Sequence, residues 1–257
     1  MNAGATGAAI RISGVTMVFG KGARSVRALD DVSLDVADGE FVCLLGRSGC
    51  GKSTLLSLTA GLELPSAGTI DCGGRRVGVM FQDAGLFPWL TVRGNIELAL
   101  RLSGVPRTEW AERVGTLLEM VNLPDAGDRR PHELSGGMRQ RVALARTLAQ
   151  DAEVLLMDEP FAALDAITRD AMHDEIERIA HERHLTVLFV THNVREAARL
   201  GDRVVVMRPD PGRMGAEVTI DLPRPRRMDD PEIALRARDL HDMLDLQSAA
   251  PDIREAA

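Results

Sequence analysis

The chain has 257 residues, of which 45% are hydrophobic and 27% are charged. This balance is typical of a globular chain that forms one sizeable domain or a core with an additional lobe. The formal net charge of −7 argues against a protein that binds nucleic acid regardless of sequence, since such proteins are usually basic. No apolar run approaches the roughly 20 residues of a membrane-spanning helix.

Signals for targeting, disulfides and metals are weak. Residues 1–9 lack a basic segment followed by a long apolar run, so we predict a disordered start and no signal peptide. The three cysteines include no CxxC pair, which argues against a disulfide framework or a zinc site and favours the cytoplasm. His181 and His184 have no carboxylate or cysteine partner at metal-site spacing, so a metal pair is disfavoured.

Apolar segments of strand length alternate with helical patterns along the chain. The segment "ALDDVSLDVADGEFVCLLG" predicts an outer antiparallel strand, a turn at Asp38 and Gly39, and a buried strand that ends at Gly46. A helix that stops at Gly61 follows, and residues 85–150 are mostly helical. Further buried strands are predicted in "AEVLLMDEP", "LTVLFVTH" and "DRVVVMRP". The alternation predicts an α/β fold with a mostly parallel sheet and ligands at the carboxyl ends of its strands.

The first chemical motif is "GRSGCGKST", which fits G-x-x-x-x-G-K-[ST] between a predicted strand and a predicted helix. Its glycines let backbone N–H groups surround a phosphate, Lys52 can reach the β- and γ-phosphates, and Ser53 is placed for Mg²⁺. At the variable position Cys50, a filler role is favoured over redox sensing. We predict a nucleotide site formed by Gly46, Arg47, Ser48, Gly49, Cys50, Gly51, Lys52, Ser53 and Thr54.

A second helix start that suits an anion lies at Ser135, Gly136 and Gly137, where "ELSGGMRQRVALARTLAQ" begins a long helical pattern. Free N–H groups and the helix dipole favour a phosphate there. This segment has no lysine, unlike the first motif. The sequence therefore raises the question of why one chain carries two such helix starts.

Two acids and a histidine also follow apolar strands directly. In "EVLLMDEP", Asp158 is a candidate Mg²⁺ ligand and Glu159 a candidate general base for an attacking water. The alternative for the acids is a solvated position before a turn. His192 follows "TVLFVT". Because parallel strands end at one edge of a sheet, we expect these residues near the phosphate loop.

The tail from Pro223 onward is charged and interrupted by prolines. A helix is predicted with Pro231 at its first position. Docking onto the core is favoured over a regulatory role by an apolar stripe of Ile233, Ala237, Leu240 and Leu244.

Together these motifs resemble an ATP-binding cassette (ABC) ATPase subunit. The glycine loop, "FQD", "LSGGMRQR", "LLMDEPFAALD" and "VTH" follow the order and spacing of that family, and the similarity covers about residues 10–246. The resemblance implies a P-loop NTPase core with an antiparallel β subdomain and a helical subdomain at about 85–150. The expected divisions are a disordered start at 1–9, one ATPase domain at 10–222, and a charged tail with a short helix at 223–257.

The resemblance also explains the two helix starts. In this family two cassettes pair head to tail, and each ATP lies between the phosphate loop of one copy and the signature helix of the other. It implies that Ser135, Gly136 and Gly137 contact a nucleotide held by a second copy of this chain. ATP and Mg²⁺ are the expected cofactors.

Further residues match motifs of the family one by one. Gln82 resembles the glutamine that senses Mg²⁺ and water. His192 resembles the switch histidine that bonds the γ-phosphate and orients Glu159, and Asp165 resembles the residue that crosses the dimer interface. The family often stacks adenine on an early tyrosine, and this chain has no tyrosine. Phe19 stands at that place and its ring can stack, with a core phenylalanine as the alternative.

The segment "FQDAGLFPWLTVRGNIELALRLSGV" most resembles importers of nitrate, sulfonate and taurine type. It is similar to the segment that receives a coupling helix from a membrane subunit, and exposed apolar groups at Phe87, Pro88 and Trp89 would need such a partner. The alternative is that they pack inside the helical lobe. The resemblance implies a homodimer beneath two transmembrane permease subunits, indirectly served by a solute-binding protein, at the cytoplasmic face of the inner (plasma) membrane.

Two rival classes fit less well. Soluble or regulatory ABC ATPases, such as those of DNA repair or translation, usually carry coiled-coil or zinc inserts or two cassettes, and this sequence shows one cassette without such inserts. A P-loop kinase leaves "LSGGMRQR" and His192 unexplained. The leading hypothesis is the ATP-hydrolysing subunit of an importer of a small anion, without a nucleic-acid partner. Another importer solute is the alternative within that class.

Overall fold

The computed structural model describes residues 7–249. Most of the predicted disordered start, residues 1–6, and the end of the tail, residues 250–257, lie outside the described residues. Strand β1 (Ala8–Phe19) begins before the domain start predicted at residue 10, so residues 8 and 9 are strand instead of disordered. Ala9 and Ile10 are fully buried, and this burial favours the longer strand.

Within the described residues the chain forms nine strands and seven α-helices. The further strands are β2 (Val26–Ala37), β3 (Phe41–Leu45), β4 (Ala67–Asp71), β5 (Val77–Met80), β6 (Val154–Asp158), β7 (Thr186–Thr191), β8 (Arg203–Arg208) and β9 (Arg213–Thr219). The helices are α1 (Lys52–Thr59), α2 (Val92–Leu102), α3 (Trp110–Met120), α4 (Gly136–Leu148), α5 (Ala166–Arg183), α6 (Val194–Leu200) and α7 (Pro231–Ala249). None of the helices in residues 7–249 is long and apolar enough to cross a membrane.

The described residues divide into two compact units, of which the first is mainly Cys72–Val187. Here β5 and β6 pair in parallel, with Met80 opposite Met157. Helix α4 packs against β5, and α2 and α3 pack against α4. These three helices fall in the interval 85–150 for which a helical subdomain is predicted, and the bounds of that subdomain stay a prediction.

The second unit comprises Ile10–Val36, Glu40–Asp71 and the chain from Leu188 onward. It contains a three-stranded sheet in the order β2-β1-β4, in which β1 and β4 are antiparallel. It also contains strands in the order β7-β3-β8-β9, where β3 and β8 are parallel and β8 and β9 are antiparallel. All five residues of β3 are buried, as expected for an inner strand of a parallel sheet. Parallel strand pairs, a separate antiparallel sheet and intervening helices confirm the predicted α/β class.

The C-terminal helix α7 packs against α6 and β8 within the second unit. Ile233, Ala237 and Leu240 are buried and Leu244 is half-buried, so the apolar stripe docks as predicted. The helix has 19 residues and is not the short one expected. The stripe repeats over successive turns, and burying it stabilises the longer helix.

The linker before α7 is anchored by Arg226, which is only 4% exposed. Its guanidinium donates to the carbonyls of Gly201 at 2.6 Å, Ile220 at 2.8 Å and Leu222 at 2.9 Å. Gly201 is the C-cap of α6, where unpaired carbonyls and the helix dipole both favour a cation. Arg226 therefore joins the end of α6 to the linker that leads into α7.

Candidate nucleotide-binding site

The phosphate loop, residues 46–51, connects β3 to α1 in the second unit. Gly51 is the N-cap of α1 with a φ of 90°, in the left-handed region that favours glycine. A Cβ at this position would lie 2.6 Å from Cδ2 of Leu29 and 3.0 Å from the carbonyl oxygen of Ala28. Both backbone conformation and space therefore exclude a side chain at Gly51, and the loop ends at a helix N-terminus that offers free N–H groups.

Lys52 is folded into this loop and is only 5% exposed. Its Nζ donates to the carbonyl of Gly46 at 2.8 Å and to that of Arg47 at 3.0 Å. Nζ also lies 3.7 Å from Sγ of Cys50. The carbonyl groups of the loop thus hold the Lys52 ammonium group inside the loop. Its positive charge can pair with a phosphate bound there.

The other predicted residues of the motif differ in exposure. Arg47, Ser48, Gly49 and Ser53 are exposed, and Thr54 is half-buried. Arg47 pairs with Asp245 of α7, with 3.0 Å between Nη2 and Oδ1. The Cys50 side chain is fully buried, which supports the filler role over redox sensing because a reactive thiolate needs access.

Phe19 is the last residue of β1 and is 41% exposed. Its ring is therefore not part of the core, and the alternative of a core phenylalanine is wrong. An exposed aromatic face of this kind can stack on a planar base.

His192 lies on a loop that Thr191 fixes between β7 and α6. The buried Thr191 hydroxyl accepts from the backbone N–H of Asn193 at 2.9 Å and donates to Oε2 of Glu196 at 2.6 Å. Asn193 in turn caps α6, since its Oδ1 accepts from the backbone N–H of Arg195 at 3.0 Å. The imidazole of His192 is exposed on this well-defined loop, a position from which it can reach a ligand.

In the first unit, the two acids stand where β6 ends. Residues 154–157 are buried, whereas Asp158 and Glu159 are half-buried. Glu159 has a φ of 43°, which lies in the left-handed region and strains a residue other than glycine by about 1–3 kcal/mol. The chain turns sharply at this residue, so consecutive carboxylates are not confined to opposite faces of a strand.

The signature residues form the N-terminus of α4, also in the first unit. Ser135 is the N-cap, and its Oγ accepts from the backbone N–H of Met138 at 3.2 Å. Gly137 is buried, and a Cβ there would lie 2.3 Å from Cγ2 of Thr168. Close packing against Thr168 therefore requires a glycine at position 137, and this helix of 13 residues begins with backbone N–H groups that suit an anion.

Asp165 caps α5 next to this helix start. Its Oδ1 accepts from the backbone N–H of Thr168 at 3.0 Å, and its Oδ2 accepts from the Thr168 hydroxyl at 2.7 Å. These bonds lower the pKa of Asp165, with the backbone bond as the larger cause. Thr168 thus touches two predicted site residues, Asp165 and Gly137. Sequence reasoning missed it.

Gln82 is exposed, and its backbone is tied to the signature helix. Nε2 of Gln140 donates to the carbonyl oxygen of Gln82 at 2.6 Å. Gln82, Gly136 and Gln140 line a common cleft of about 440 Å³, so the structure brings the predicted glutamine and the signature residues together. Sequence reasoning also missed Gln140. The sequence pattern that points to Gln140 is a polar residue among the buried apolar positions of a helix.

Comparisons with known proteins agree with this set of motifs. A model of the ABC transporter family matches residues 29–162. The chain is 50% identical to the taurine import ATP-binding protein TauB of Mesorhizobium japonicum over 73% of this chain and 76% of that protein. It is 44% identical to the nitrate import ATP-binding protein NrtD of Synechocystis over 83% of each.

A solved structure has the same fold. It is the dimeric, post-hydrolysis state of the ATP-binding cassette MJ0796 bound to ADP and Pi. The TM-score is 0.74 at 30% sequence identity, over 83% of this chain and 99% of that one. The aligned portion is thus nearly the whole of a cassette that binds a nucleotide.

Proposed function

The chain belongs to the ABC transporter family and is an ATPase, and we propose that it works as a head-to-tail dimer that powers an importer of a small anion. The observation that carries the proposal is the pair of helix starts at Lys52 and Ser135. Both suit a phosphate through their backbone N–H groups, and only the first supplies a lysine. Two incomplete half-sites on one chain become two complete sites in a two-fold dimer.

In the proposed dimer, Ser135, Gly136 and Gly137 of one copy contact the γ-phosphate of an ATP held by the phosphate loop of the other. The dimeric state of the related cassette with ADP and Pi supports this arrangement. ATP binding then closes the dimer, and hydrolysis lets it open, because only the intact γ-phosphate is contacted from both sides.

Within each copy, the phosphate loop holds the ATP. Backbone N–H groups of residues 46–51 and of the first turn of α1 bond the phosphates, and Lys52 exchanges its bonds to loop carbonyls for bonds to phosphate oxygens. Phe19 stacks on the adenine, a contact that its exposed ring supports. Base selectivity by such a stack is modest, since every base has a π-face.

Mg²⁺ is the second proposed cofactor. Ser53 is an exposed hydroxyl in the first turn of α1, Gln82 an exposed amide and Asp158 a half-buried carboxylate. These are the oxygen ligands that Mg²⁺ prefers, so we assign the three residues to it, directly or through water. When bound, the ion neutralises charge on the β- and γ-phosphate oxygens.

Glu159 is the proposed general base. Its carboxylate accepts a proton from a water whose oxygen attacks the γ-phosphorus, and the bond from that phosphorus to the bridging oxygen breaks to give ADP and inorganic phosphate. His192 bonds the γ-phosphate and orients Glu159, a role that its exposed position on a fixed loop supports. Asp165 crosses the dimer interface, and the hydrogen bonds from Thr168 that lower its pKa within one chain favour the ionised carboxylate.

An apolar surface of the first unit is the proposed contact with the membrane subunits of a transporter. Trp89 is 68% exposed, and its ring centroid lies 5.3 Å from that of Phe87. The exposure of Trp89 speaks against packing inside the helical lobe. The neighbouring cleft of about 410 Å³ is lined mainly by apolar residues, among them Phe81, Phe87 and Leu102. An exposed aromatic pair beside an apolar cleft needs a partner, and the proposed partners are two permease subunits at the cytoplasmic face of the inner membrane.

The proposed solute is a small anion of nitrate, sulfonate or taurine type. Its support is the similarity to the taurine and nitrate import proteins. A permease and a solute-binding protein would select the solute, because the residues assigned above all serve ATP, Mg²⁺ or the partner surfaces.

The experiment that tests transport is affinity purification of the tagged chain from gently solubilised membranes with an ATP analogue present. We expect a polytopic permease in a one-to-one ratio with the chain, and its identity narrows the solute. Recovery of only soluble or nucleic-acid partners would overturn the importer and leave the ATPase standing.

A surface variant tests whether recovery of the permease depends on the proposed docking surface. Trp89→Asp places a charge on the proposed docking surface and should lose the permease while its thermal unfolding stays unchanged. The matched control is Leu64→Asp, because Leu64 is 85% exposed in the other unit and should tolerate the charge with the permease retained.

A further inference from the structure

Side chains of α4 hold the backbone of the loop that contains Gln82. Nε2 of Gln140 donates to the carbonyl of Gln82 at 2.6 Å. Farther along the helix, Arg146 donates to the carbonyls of Gly85 at 2.6 Å and Ala84 at 2.9 Å. The loop is thereby bonded to the helix at more than one point, and it cannot shift against α4 without breaking these bonds.

Gln140 is an unfavourable choice if its purpose is packing. The residue is only 4% exposed, and within residues 7–249 its Oε1 has no hydrogen-bond partner. A buried amide that pairs its nitrogen but not its oxygen costs free energy, which an apolar side chain of similar length avoids. Positions that break such a rule are often functional sites. The bond to Gln82 is therefore best explained by what it positions.

We propose that Gln140 is a positioning residue that sets the exposed Gln82 side chain for Mg²⁺ and the attacking water. This inference rests on the proposed function, which assigns that role to Gln82. Fixing the carbonyl of Gln82 restricts the backbone from which its side chain extends. The amide oxygen then reaches the same point in each turnover.

The same bond links the two ATP sites of the proposed dimer. Gln82 serves the nucleotide of its own copy, whereas Ser135 at the start of α4 contacts the nucleotide of the other copy. Gln140 lies one turn into that helix and bonds the loop. A displacement of α4 on contact with the second nucleotide therefore moves Gln82 in the first site, and hydrolysis at the two sites is coupled.

The test compares full-length variants by the Mg²⁺ dependence of ATP hydrolysis. Gln140→Met keeps the length of the side chain, removes the donor and also removes the unpaired oxygen. We expect the Mg²⁺ concentration at half-maximal rate to rise by about tenfold, as for other residues that orient a metal ligand. We also expect kcat to fall by roughly tenfold or more from misplacement of the water. ATP binding without Mg²⁺ should stay unchanged, because the phosphate loop is not altered.

The matched control is Gln150→Met. Gln150 is an exposed glutamine just beyond the end of α4, and its replacement should leave both the Mg²⁺ dependence and kcat at the wild-type level. Thermal unfolding of Gln140→Met should match or exceed that of the wild type. A wild-type Mg²⁺ dependence in Gln140→Met would overturn the proposal. The proposal would also be overturned if Gln140→Met lowered the rate together with the unfolding temperature and left the Mg²⁺ dependence unchanged, because a merely structural role gives that result.

Gln82→Ala distinguishes a failure of the positioning role of Gln140 from a failure of the role assigned to Gln82. If Gln82→Ala raises the Mg²⁺ requirement and Gln140→Met does not, the positioning role is wrong and the proposed function stands. If Gln82→Ala leaves the Mg²⁺ requirement unchanged, the role assigned to Gln82 is wrong and both fall. If both variants raise it and the double variant raises it no further, the two residues act through one interaction, as proposed.

Discussion

Gly137 and Thr168 are in contact at the start of the signature helix: a Cβ on Gly137 would lie 2.3 Å from Cγ2 of Thr168. The hydroxyl of the same threonine donates to Asp165 at 2.7 Å. A glycine of the signature and the aspartate assigned to the dimer interface therefore share one neighbour, and a change at either is transmitted to the other.

Gly137→Ala should lower both stability and activity. The added methyl group overlaps Thr168, and overpacking of this kind costs about 1–3 kcal/mol of unfolding free energy. Adding Thr168→Ser removes Cγ2 but keeps the hydroxyl, so the double variant should regain stability in thermal unfolding. ATP hydrolysis should recover together with stability, because the added methyl group points at Thr168 and leaves the N–H groups of the helix start accessible. A double variant that regained stability but not activity would show that the alanine also obstructs the bound phosphate.

Glu159→Gln should abolish turnover and leave ATP binding and dimerisation intact. The amide keeps the shape of the side chain but cannot accept a proton from water, and loss of a general base costs about 10²–10⁴-fold in rate. Single-turnover hydrolysis and ATP-dependent dimerisation by light scattering measure the two effects. A variant that hydrolyses ATP at the normal rate would remove Glu159 as the base.

Arg226→Met should destabilise the second unit and release α7. The guanidinium bonds the carbonyl of Gly201 at the end of α6 and that of Ile220 after β9, and buried carbonyls left without donors cost about 1–3 kcal/mol each. Denaturant unfolding measures the loss, and proteolysis in the linker reports the release. Arg227→Met is the control, because the Arg227 side chain is 76% exposed and should change stability by less than about 0.5 kcal/mol. Equal effects of the two variants would contradict the anchoring role.

The cap at Asp165 should make stability depend on pH in the acid range. Hydrogen bonds from Thr168 lower its pKa in the folded state below the ordinary value of 3.8. The unfolded chain therefore takes up the proton first, so this contribution is complete above that value and is lost as the pH falls through the lowered pKa. Asp165→Asn keeps an oxygen acceptor and does not titrate. The difference in unfolding midpoint between wild type and Asp165→Asn should be constant near neutral pH and shrink in acid, and a difference independent of pH would contradict the assignment.

The phosphate loop could be predicted from the sequence because its requirements are local. A buried strand, a glycine at a left-handed N-cap and a lysine in the next position lie within a few residues of one another. The docking of α7 was predictable for the same reason, since the residues of its apolar stripe lie in one short stretch of the sequence. The sequence did not decide whether Phe19 stacks on a base or packs in the core. The exposure of Phe19 in the structure decides between the two.

The bond of Gln140 to Gln82 and the contact of Thr168 with Gly137 could not be predicted, because these partners are far apart in the sequence. Gln140 bonds a carbonyl 58 positions earlier in the chain, and the motif around it gives no sign of that partner. The start of β1 at Ala8 was missed for a related reason, since two alanines carry little strand preference and burial decides their state. Residues whose roles depend on tertiary contacts are thus the ones that local patterns fail to reveal.

Each ATP site of the proposed dimer is built from two copies of the chain, so mixing two inactive variants should restore hydrolysis. Lys52→Ala disables the phosphate loop and Ser135→Arg blocks the signature helix, so each variant alone should lack hydrolysis. In a head-to-tail dimer, a mixed pair keeps one intact site. Equal amounts should restore hydrolysis to at most about a quarter of the wild-type rate, since half the dimers are mixed, each has one of two sites, and coupling through Gln140 lowers the rate of a site that works alone. A mixture no more active than either variant alone would show that each chain completes its own site and that the head-to-tail dimer is wrong.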